Sequence, residues 1–502
     1  MALVILATLI VYVSLRLLLY VTQDPKEPPA ILTSLPFVSP IIGMIRDKDR
    51  FHRRLRDEHR LPIYTLRLPF QRMYIVNDTK LIAPLQKQWR HVSFAAIAAD
   101  AGIAVGMSKE ALDIMHKDLS SDAGFSISWP RFIMSAMGPG KDLDAINRAA
   151  INVISAKTSI LHTKGPIALG EWSRQVMVDS TTEAVWGPHN PYHDAGVARA
   201  WKTFEAGFLI LSVFPGLRFL FPKLIQAREL VVSAMTDYIN SGGHEVASGL
   251  VRKRYEHHKG FGLTDQDIAR GELGNTFAVL GNTVPCSFWV IWHIFSDDEV
   301  LQAVREELLS LVHTKYDVNS IDLSSMHETC PTLMSTFQEV LRYRAVNPGP
   351  RVLLEDVYLE NMLLKKGSML MIPAPVQHSS VTAWGEDAGA FNYRRFMKPN
   401  QGGTKFNRVA FRAFGGGHQL CPGRHFATTE IMALAAIMAL QFDVVPTSGW
   451  IEPTYNKSPL QAGFPIPDQD IQVELRLRDP SKTWNVTFTG GSRMGVVAED
   501  VE

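Results

Sequence analysis

Cys421 is the residue in this chain best placed for chemistry. It is one of only three cysteines in 502 residues, with Cys286 and Cys330, and it alone is framed by glycine and proline, in FGGGHQLCPG at 414–423. The glycines at 415–417 let the backbone come close to whatever lies above the loop and turn amide groups toward it. Pro422 and Gly423 then lead into a strongly helical run from about Arg424, so Cys421 sits at a helix amino terminus. Aligned peptide dipoles and unpaired N–H groups there favour the thiolate over the thiol. A thiolate in a ring of N–H donors is a good axial ligand for heme iron, and those hydrogen bonds tune its electron donation. The same local physics also allows a nucleophilic cysteine, or simply a tight turn. Three scattered cysteines make neither a disulfide framework nor a zinc cluster. Cys286 and Cys330, in apolar or mixed segments, read as buried thiols, which suits a reducing compartment such as the cytosol.

The rest of the chain must build a scaffold for that loop. Hydrophobic residues make up 46% and charged residues 20%, ample for a large core and against extended disorder. A formal net charge of +1 exerts no global pull on nucleic acid, and none is expected as a partner. Helical periodicity marks 141–160, 173–187, 222–240, 297–313 and 329–344. Residues 263–299 read as one very long helix, opened by a capping box of Thr264 and Asp267 and apolar on every face from Phe277 to Ile294. A second membrane span is the rival reading, but Gly281, Asn282, Thr283 and Pro285 interrupt the run. Residues 62–77 read as a short antiparallel pair, and 351–374 and 470–478 as strands. The class is mainly α with a small β region, in one large domain without internal repeats.

The amino terminus is different. Residues 1–22 are apolar with a single charge, Arg16, long enough to cross a bilayer core. A cleaved signal peptide would want a basic start and a small-residue cleavage site, and neither is evident. Residues 23–45 carry Pro25, Pro28, Pro29, Pro36 and Pro40 and read as a semi-rigid hinge. Arg46, Lys48, Arg50, Arg53, Arg54 and Arg56 follow. By the positive-inside tendency they put the body, 46–502, on the cytosolic side. The expectation is a single-pass anchor, and the sequons at Asn77, Asn456 and Asn485 would then go unused.

The loop at 414–423 resembles the heme-binding signature of the cytochrome P450 family, Phe-x-x-Gly-x-Arg-x-Cys-x-Gly, through Phe414, Gly417, Cys421 and Gly423. A second family element, Glu-x-x-Arg, is matched by EVLR, Glu339 to Arg342. A spacing of three puts both side chains on one helix face, where they can pair. Alone, EVLR would read as a solvated helix pair. Here it is followed by WGEDAGAF (384–391) and by FNYRRF, with Phe391, Arg395 and Phe396, and the resemblance runs from about residue 30 to the end. It implies the cytochrome P450 fold over 46–502 and heme b, its iron held axially by the Cys421 thiolate. It also implies an ion cluster of Glu339, Arg342 and Arg395 behind the heme.

Two departures from the family pattern matter. The arginine two residues before the ligand is Gln419 here, so a usual partner of a heme propionate is missing; His418 and Arg351 are the candidates to compensate. No clear Trp-x-x-x-Arg precedes the first long helix, and Asn147 and Arg148 are weak substitutes. The second departure is in the central helix, where the family usually has an acid–alcohol pair that helps deliver protons on the oxygen-binding face. This chain has AVLGNT, so Gly281 and Asn282 stand there with Thr283 following. Asn hydrogen-bonds but cannot donate a proton as a carboxylic acid does; Thr283 or an ordered water is the candidate to restore the relay. Pro285 should kink the helix there. Gly-Asn followed by Pro285, and the LCPGRHFA stretch, are similar to the branch with sterol 7α-hydroxylases and prostacyclin synthase.

The resemblance implies a monooxygenase of the endoplasmic reticulum membrane, catalytic domain cytosolic. It would oxidise a hydrophobic small molecule with O2 and electrons from NADPH through NADPH–cytochrome P450 reductase. The style of the chain is similar to fungal members that tailor terpenoids, sterols or related secondary metabolites. Distal-pocket candidates are 94–135 and the turn at 463–465. The alternative, motivated by Gly281-Asn282, is a heme-thiolate isomerase or dehydratase needing no external reductant; a non-enzymatic heme sensor or carrier is the third reading. The stretch 388–429 holds no acidic residue but has Arg394, Arg395, Lys398, Lys405, Arg408, Arg412 and Arg424, a basic surface suited to an acidic flavoprotein.

Overall fold

The apolar amino-terminal segment forms a helix, α1 (Ala2–Thr22), in the computed structural model, which describes residues 1–161, 165–213 and 215–491. Only 6% of its window Leu3–Thr22 is buried. Its last carbonyls are left without partners inside the helix, and the body supplies them. Arg67 Nη1 and Arg72 Nη2 donate to the Thr22 carbonyl at 3.1 and 3.0 Å. Residues 23–45, expected as a hinge, pack on the body: Thr65 N–H donates to the Pro29 carbonyl at 2.9 Å, the Tyr74 hydroxyl to buried Glu27 at 2.7 Å, and Ser39–Asp47 is helical.

The β-branched and aromatic alternation at 62–77 forms the expected antiparallel pair, β1 (Ile63–Leu68) and β2 (Gln71–Val76), with Ile63 opposite Val76. They join β3 (Val92–Ser93), β4 (Pro350–Leu353) and β5 (Met369–Met371) in a five-stranded sheet ordered β1-β2-β5-β4-β3. The strand-like stretch 470–478 contributes Gln472–Leu477 to a small separate sheet.

Helices build the remainder: α2 (Ala95–Val105), α3 (Lys141–Ser159), α4 (Leu169–Trp186), α5 (Ala195–Val213), α6 (Asp265–Leu280), α7 (Thr283–Phe295), α8 (Pro331–Arg344) and α9 (Arg424–Gln441). The helix expected at 297–313 ends at Leu309, and His313–Lys315 turns into a strand. The single long helix expected at 263–299 is two. Pro285 has no N–H to give the Gly281 carbonyl, and its ring clashes with that carbonyl four residues back. The break falls there, at Gly281–Asn282. Thr264 and Asp267 cap α6 as expected, the Asp267 amide donating to the Thr264 hydroxyl at 3.1 Å. Every residue of α7 is buried, so this apolar run is satisfied by protein and not by lipid. The architecture is mainly α with a small β region.

Helix α9, which begins just after Cys421, runs through the centre of the core and packs on α3 and α7. It carries a buried carboxyl, Glu430, which accepts from the Ser180 hydroxyl at 2.6 Å and the Thr181 hydroxyl at 2.8 Å. Burial pushes its pKa up to about 7, against the two hydroxyls, which lower it. A folded pKa above the unfolded value makes stability fall as pH rises through about 7. Glu430→Gln should therefore remove up to one proton, about 1.4 kcal/mol per pH unit, from the slope of unfolding free energy between about pH 5 and 7. Denaturant titrations across that range read it.

Candidate active site

The ligand loop is closed by its own backbone. The Cys421 amide donates to the Phe414 carbonyl at 2.9 Å, and the Leu420 amide to the Gly417 carbonyl at 3.0 Å. Gly415 (φ +81°) and Gly417 (φ +60°) lie in the left-handed region, where a side chain is strained. A Cβ on Gly415 would also sit 2.7 Å from the Gln419 carbonyl oxygen. Past the sulfur the chain enters α9 through Gly423, where the Arg424 amide donates to the Cys421 carbonyl at 3.4 Å and the Gly423 and Arg424 amides lower the thiol's pKa. The expected preference for thiolate is only half realised. Those donors and the Arg424 charge lower the Cys421 pKa, but burial raises it by more, and the net shift is upward. Cys286 and Cys330 are fully buried, and burial raises both thiols.

The expected ion cluster is assembled. Arg342 Nε and Nη2 donate to the two Glu339 oxygens at 2.7 Å each, and Arg395 Nε reaches them at 3.1 and 3.2 Å. All three side chains are buried. The sequence reading missed the fourth member: Asp387 accepts from Arg395 through both oxygens at 3.0 Å, which holds its carboxyl below the usual range. Two carboxylates thus face two guanidiniums, and the charge balances. Arg342 Nη1 also donates to the carbonyls of His378 and Ala388 at 2.8 and 2.7 Å.

Arg351 lies on β4, its side chain buried and bonded only to the Pro350 carbonyl. No carboxylate lies within ion-pair distance of it among the described residues. Burial and the neighbouring Arg412 charge push its pKa down to about 9. Arg351, Gly416 and Gln419 border one small cavity with Leu85, Trp89 and Ile372, and the Gln419 Oε1 is buried without a partner. His418 also borders it but packs at a tilt against Trp89 with centroids 4.6 Å apart, and burial, then Arg131 and Arg90, lowers its pKa. A neutral His418 cannot replace the missing arginine. Arg148 does not either: it donates to the carbonyls of Phe488 and Thr489. Asn147 is buried with both side-chain atoms unpartnered.

The other candidates gather at the helix break. Asn282 is exposed, Thr283 buried, and Gly281 intermediate. The Asn282 amide carbon lies 3.2 Å from where a Cβ on Gly463 would stand, so the break meets the turn at 463–465. That turn is fixed: the Val346 amide donates to the Gly463 carbonyl at 2.8 Å and Trp289 Nε1 to the Pro465 carbonyl at 2.7 Å. α2, inside the expected segment 94–135, packs on α5 and α6. Phe277 of α6 stacks on Phe208 of α5 with centroids 4.5 Å apart. The basic stretch is partly consumed: Arg394 pairs with Glu299, and Arg395 and Arg412 are buried, leaving Lys398, Lys405 and Arg408 exposed.

Comparison with known proteins matches this arrangement. The family description Cytochrome P450 fits residues 227–475. The chain is 33% identical to the cytochrome P450 monooxygenase nodJ of Hypoxylon pulicicidum, over 97% of this chain and 98% of that protein. It is 26% identical to the 25-hydroxycholesterol 7-alpha-hydroxylase of Rattus norvegicus over 47% of this chain and 60% of that one. A solved structure, retinoic acid-bound cyanobacterial CYP120A1, superimposes with a TM-score of 0.71 at 19% identity, covering 90% of this chain and 100% of that one. The chain belongs to the cytochrome P450 family, a family with a cysteine-ligated heme, and is an enzyme whose relatives are named monooxygenases.

The residues present fit that heme. A buried cation without a carboxylate, Arg351, and a buried amide oxygen without a partner, Gln419, border one cavity beside the cysteine loop. A Cβ on Gly423 would stand in ordinary contact with Met137 and the Cys421 sulfur, at 3.7 and 3.9 Å.

Removing Glu339 would leave two buried guanidiniums sharing one half-exposed carboxylate. Glu339→Ala should cost about 3–5 kcal/mol in denaturant unfolding, with loss of heme uptake. Asp387→Asn, at the exposed edge, should cost under about 1 kcal/mol and keep heme.

Proposed function

We propose that this chain is a membrane-anchored heme-thiolate monooxygenase that inserts one oxygen atom of O2 into a hydrophobic small molecule such as a terpenoid, a sterol or a related secondary metabolite. Two electrons from NADPH, delivered by NADPH–cytochrome P450 reductase, and two protons reduce the second atom to water. The observation that carries the reading is the single glycine-framed sulfur of Cys421, held in a loop closed by its own backbone at the mouth of a buried helix. Bound at Cys421, the heme supplies dioxygen activation.

In this reading each part of the chain has one task. Cys421 holds the iron, with Phe414, Gly417 and Gly423 shaping its loop, while Arg351 meets a propionate and His418 packs the loop against Trp89. The Glu339–Arg342–Arg395 cluster fixes the segment that leads into the loop. The break at Gly281–Asn282 frees backbone and amide groups beside the distal turn, and Thr283 or a water hands protons inward. The Phe208–Phe277 stack makes an apolar roof that favours a lipophilic substrate. α1, apolar and outside the packed body, anchors the protein in the endoplasmic reticulum membrane with its body cytosolic. Lys398, Lys405 and Arg408 steer an acidic reductase toward the ligand-loop side. Relatives from fungi named as monooxygenases support the reaction class.

With reductase, NADPH and isotopically labelled dioxygen, one labelled atom should enter the product, and Thr283→Ala should raise the share of electrons lost as peroxide. A product formed without reductase, carrying no label, would favour the isomerase or dehydratase reading that Gly281-Asn282 motivates.

A further inference from the structure

Helix α2 has little of its own to hold it in place. Its sequence, AAIAADAGIAV, is mostly alanine and glycine, so each residue buries little apolar surface. Its 11 residues are also too few for a stable isolated helix. What grips its ends therefore sets its position. At the amino end, the Arg351 guanidinium lies 5.7 Å from the ring centroid of Phe94, and Ser93 pairs with Val352 of β4. At the other end α2 comes against α6, where Val105 Cγ1 is 3.7 Å from the place a Cβ on Gly274 would occupy. The helix thus spans from the cavity that Arg351 borders to the helix that ends in the break at Gly281–Asn282.

An α-helix leaves its last four carbonyls without partners inside the helix, and in α2 all four are met. Gly106, at φ +81°, turns the chain so that the Met107 amide donates to the Gly102 carbonyl at 3.0 Å and its own amide to that of Ile103 at 3.2 Å. The carbonyls of Ala104 and Val105 are met from far along the chain. Arg228 Nη1, on the helix Pro222–Asn240, donates to the first at 3.3 Å, and Arg270 Nη1 of α6 to the second at 3.1 Å. Glu229 ties the two arginines together. It accepts from Arg270 Nη1 and Nη2 at 3.1 and 2.9 Å and from Arg228 Nε at 2.7 Å. Burial raises the Glu229 pKa, but Arg270 and Arg228 lower it by more, so the carboxylate stays charged. The two arginine side chains are only 9% and 12% exposed, which separates this cluster from the solvated surface pairs that contribute little. Two residues past Gly106, the Ser108 amide and hydroxyl donate to the two oxygens of buried Asp267, also on α6, at 2.9 Å each.

We infer that Arg228, Glu229 and Arg270 are positioning residues for the distal side of the site: they fasten α2 by its last carbonyls to α6, and this fixed wall limits the size of ligand that reaches the cofactor. The inference rests on the heme-thiolate reading and deepens it, because it names residues that set which hydrophobic molecules enter.

The test joins a measurement of α2 to a measurement of access in wild type, Arg270→Met, Arg270→Lys and Glu229→Gln. Amide hydrogen exchange reports on residues 95–107 and, as a reference, on α9. Optical stopped flow on the heme-loaded protein gives the association rates of imidazole and of the much bulkier clotrimazole. Arg270→Met should speed exchange over 95–107 about ten-fold or more, the effect of losing one charge-assisted bond, with α9 unchanged. It should also accelerate clotrimazole and leave imidazole at the wild-type rate. Glu229→Gln should move both readouts the same way by less, which keeps the test open if Arg270→Met does not fold. Arg270→Lys, which retains a charged donor, should lie near wild type. Exchange that is unchanged over 95–107, exchange that rises equally in α9, or equal acceleration of the two azoles would make the cluster a general stabiliser and overturn the inference. The exchange arm needs no heme. Wild-type protein that takes up heme but shows no thiolate signature in its reduced, carbon monoxide-bound spectrum would instead overturn the heme-thiolate reading.

Discussion

The carboxylate of Glu339, buried between Arg342 and Arg395, is the interaction on which the rest of the site depends. A lone charge at that depth would be prohibitively costly. The pairing is tolerable chiefly because Arg342 and Arg395 give their remaining N–H groups to backbone carbonyls, with Asp387 adding a second carboxylate at the exposed edge. Those carbonyls belong to the segments that lead to the cysteine. Arg342 holds the carbonyl of His378, and the His378 ring accepts the amide of Arg412, the residue at which the chain turns into the ligand loop. The position of the sulfur is thus transmitted from the cluster through two hydrogen bonds.

A second constraint is electrostatic. Burial raises the Cys421 thiol more than the neighbouring amides lower it, while Arg351 is buried without a counter-anion among the described residues. Among the described residues the protein alone is left with a sulfur disfavoured as an anion and a buried cation with no carboxylate beside it. A heme would answer both at once, with Cys421 holding its iron and Arg351 its propionate charge. That complementarity is stronger support for the cofactor than the loop motif by itself, because the loop's physics also suits a tight turn. On the other side of the site, Pro285 forces the helix break and so decides where backbone groups become available.

The local part of this was legible in the sequence. Glycines around a single cysteine, a Glu and an Arg three residues apart, and an alternating β1–β2 segment are short-range patterns, and each formed as expected. What escaped was set by contacts distant in the chain. Asp387 stood in a quoted segment, but nothing local showed that it would face Arg395. Arg412 lay in a run of basic residues that reads as surface, and only the fold buries it under Gly416. The long apolar run read as one helix because apolarity hides the break, although Pro285 and Gly281 carried the signal. Trp89, which turns His418 into a packing residue, is far from the loop in sequence.

The central claim is that one sulfur, at position 421, is bonded to iron in the folded protein. Iron K-edge X-ray absorption on the ferric full-length protein tests it without turnover, substrate or reductase. The account predicts one sulfur scatterer in the iron's first shell, lost in Cys421→Ser. A first shell of nitrogen and oxygen alone in the wild-type protein, or sulfur that persists after the substitution, would contradict it.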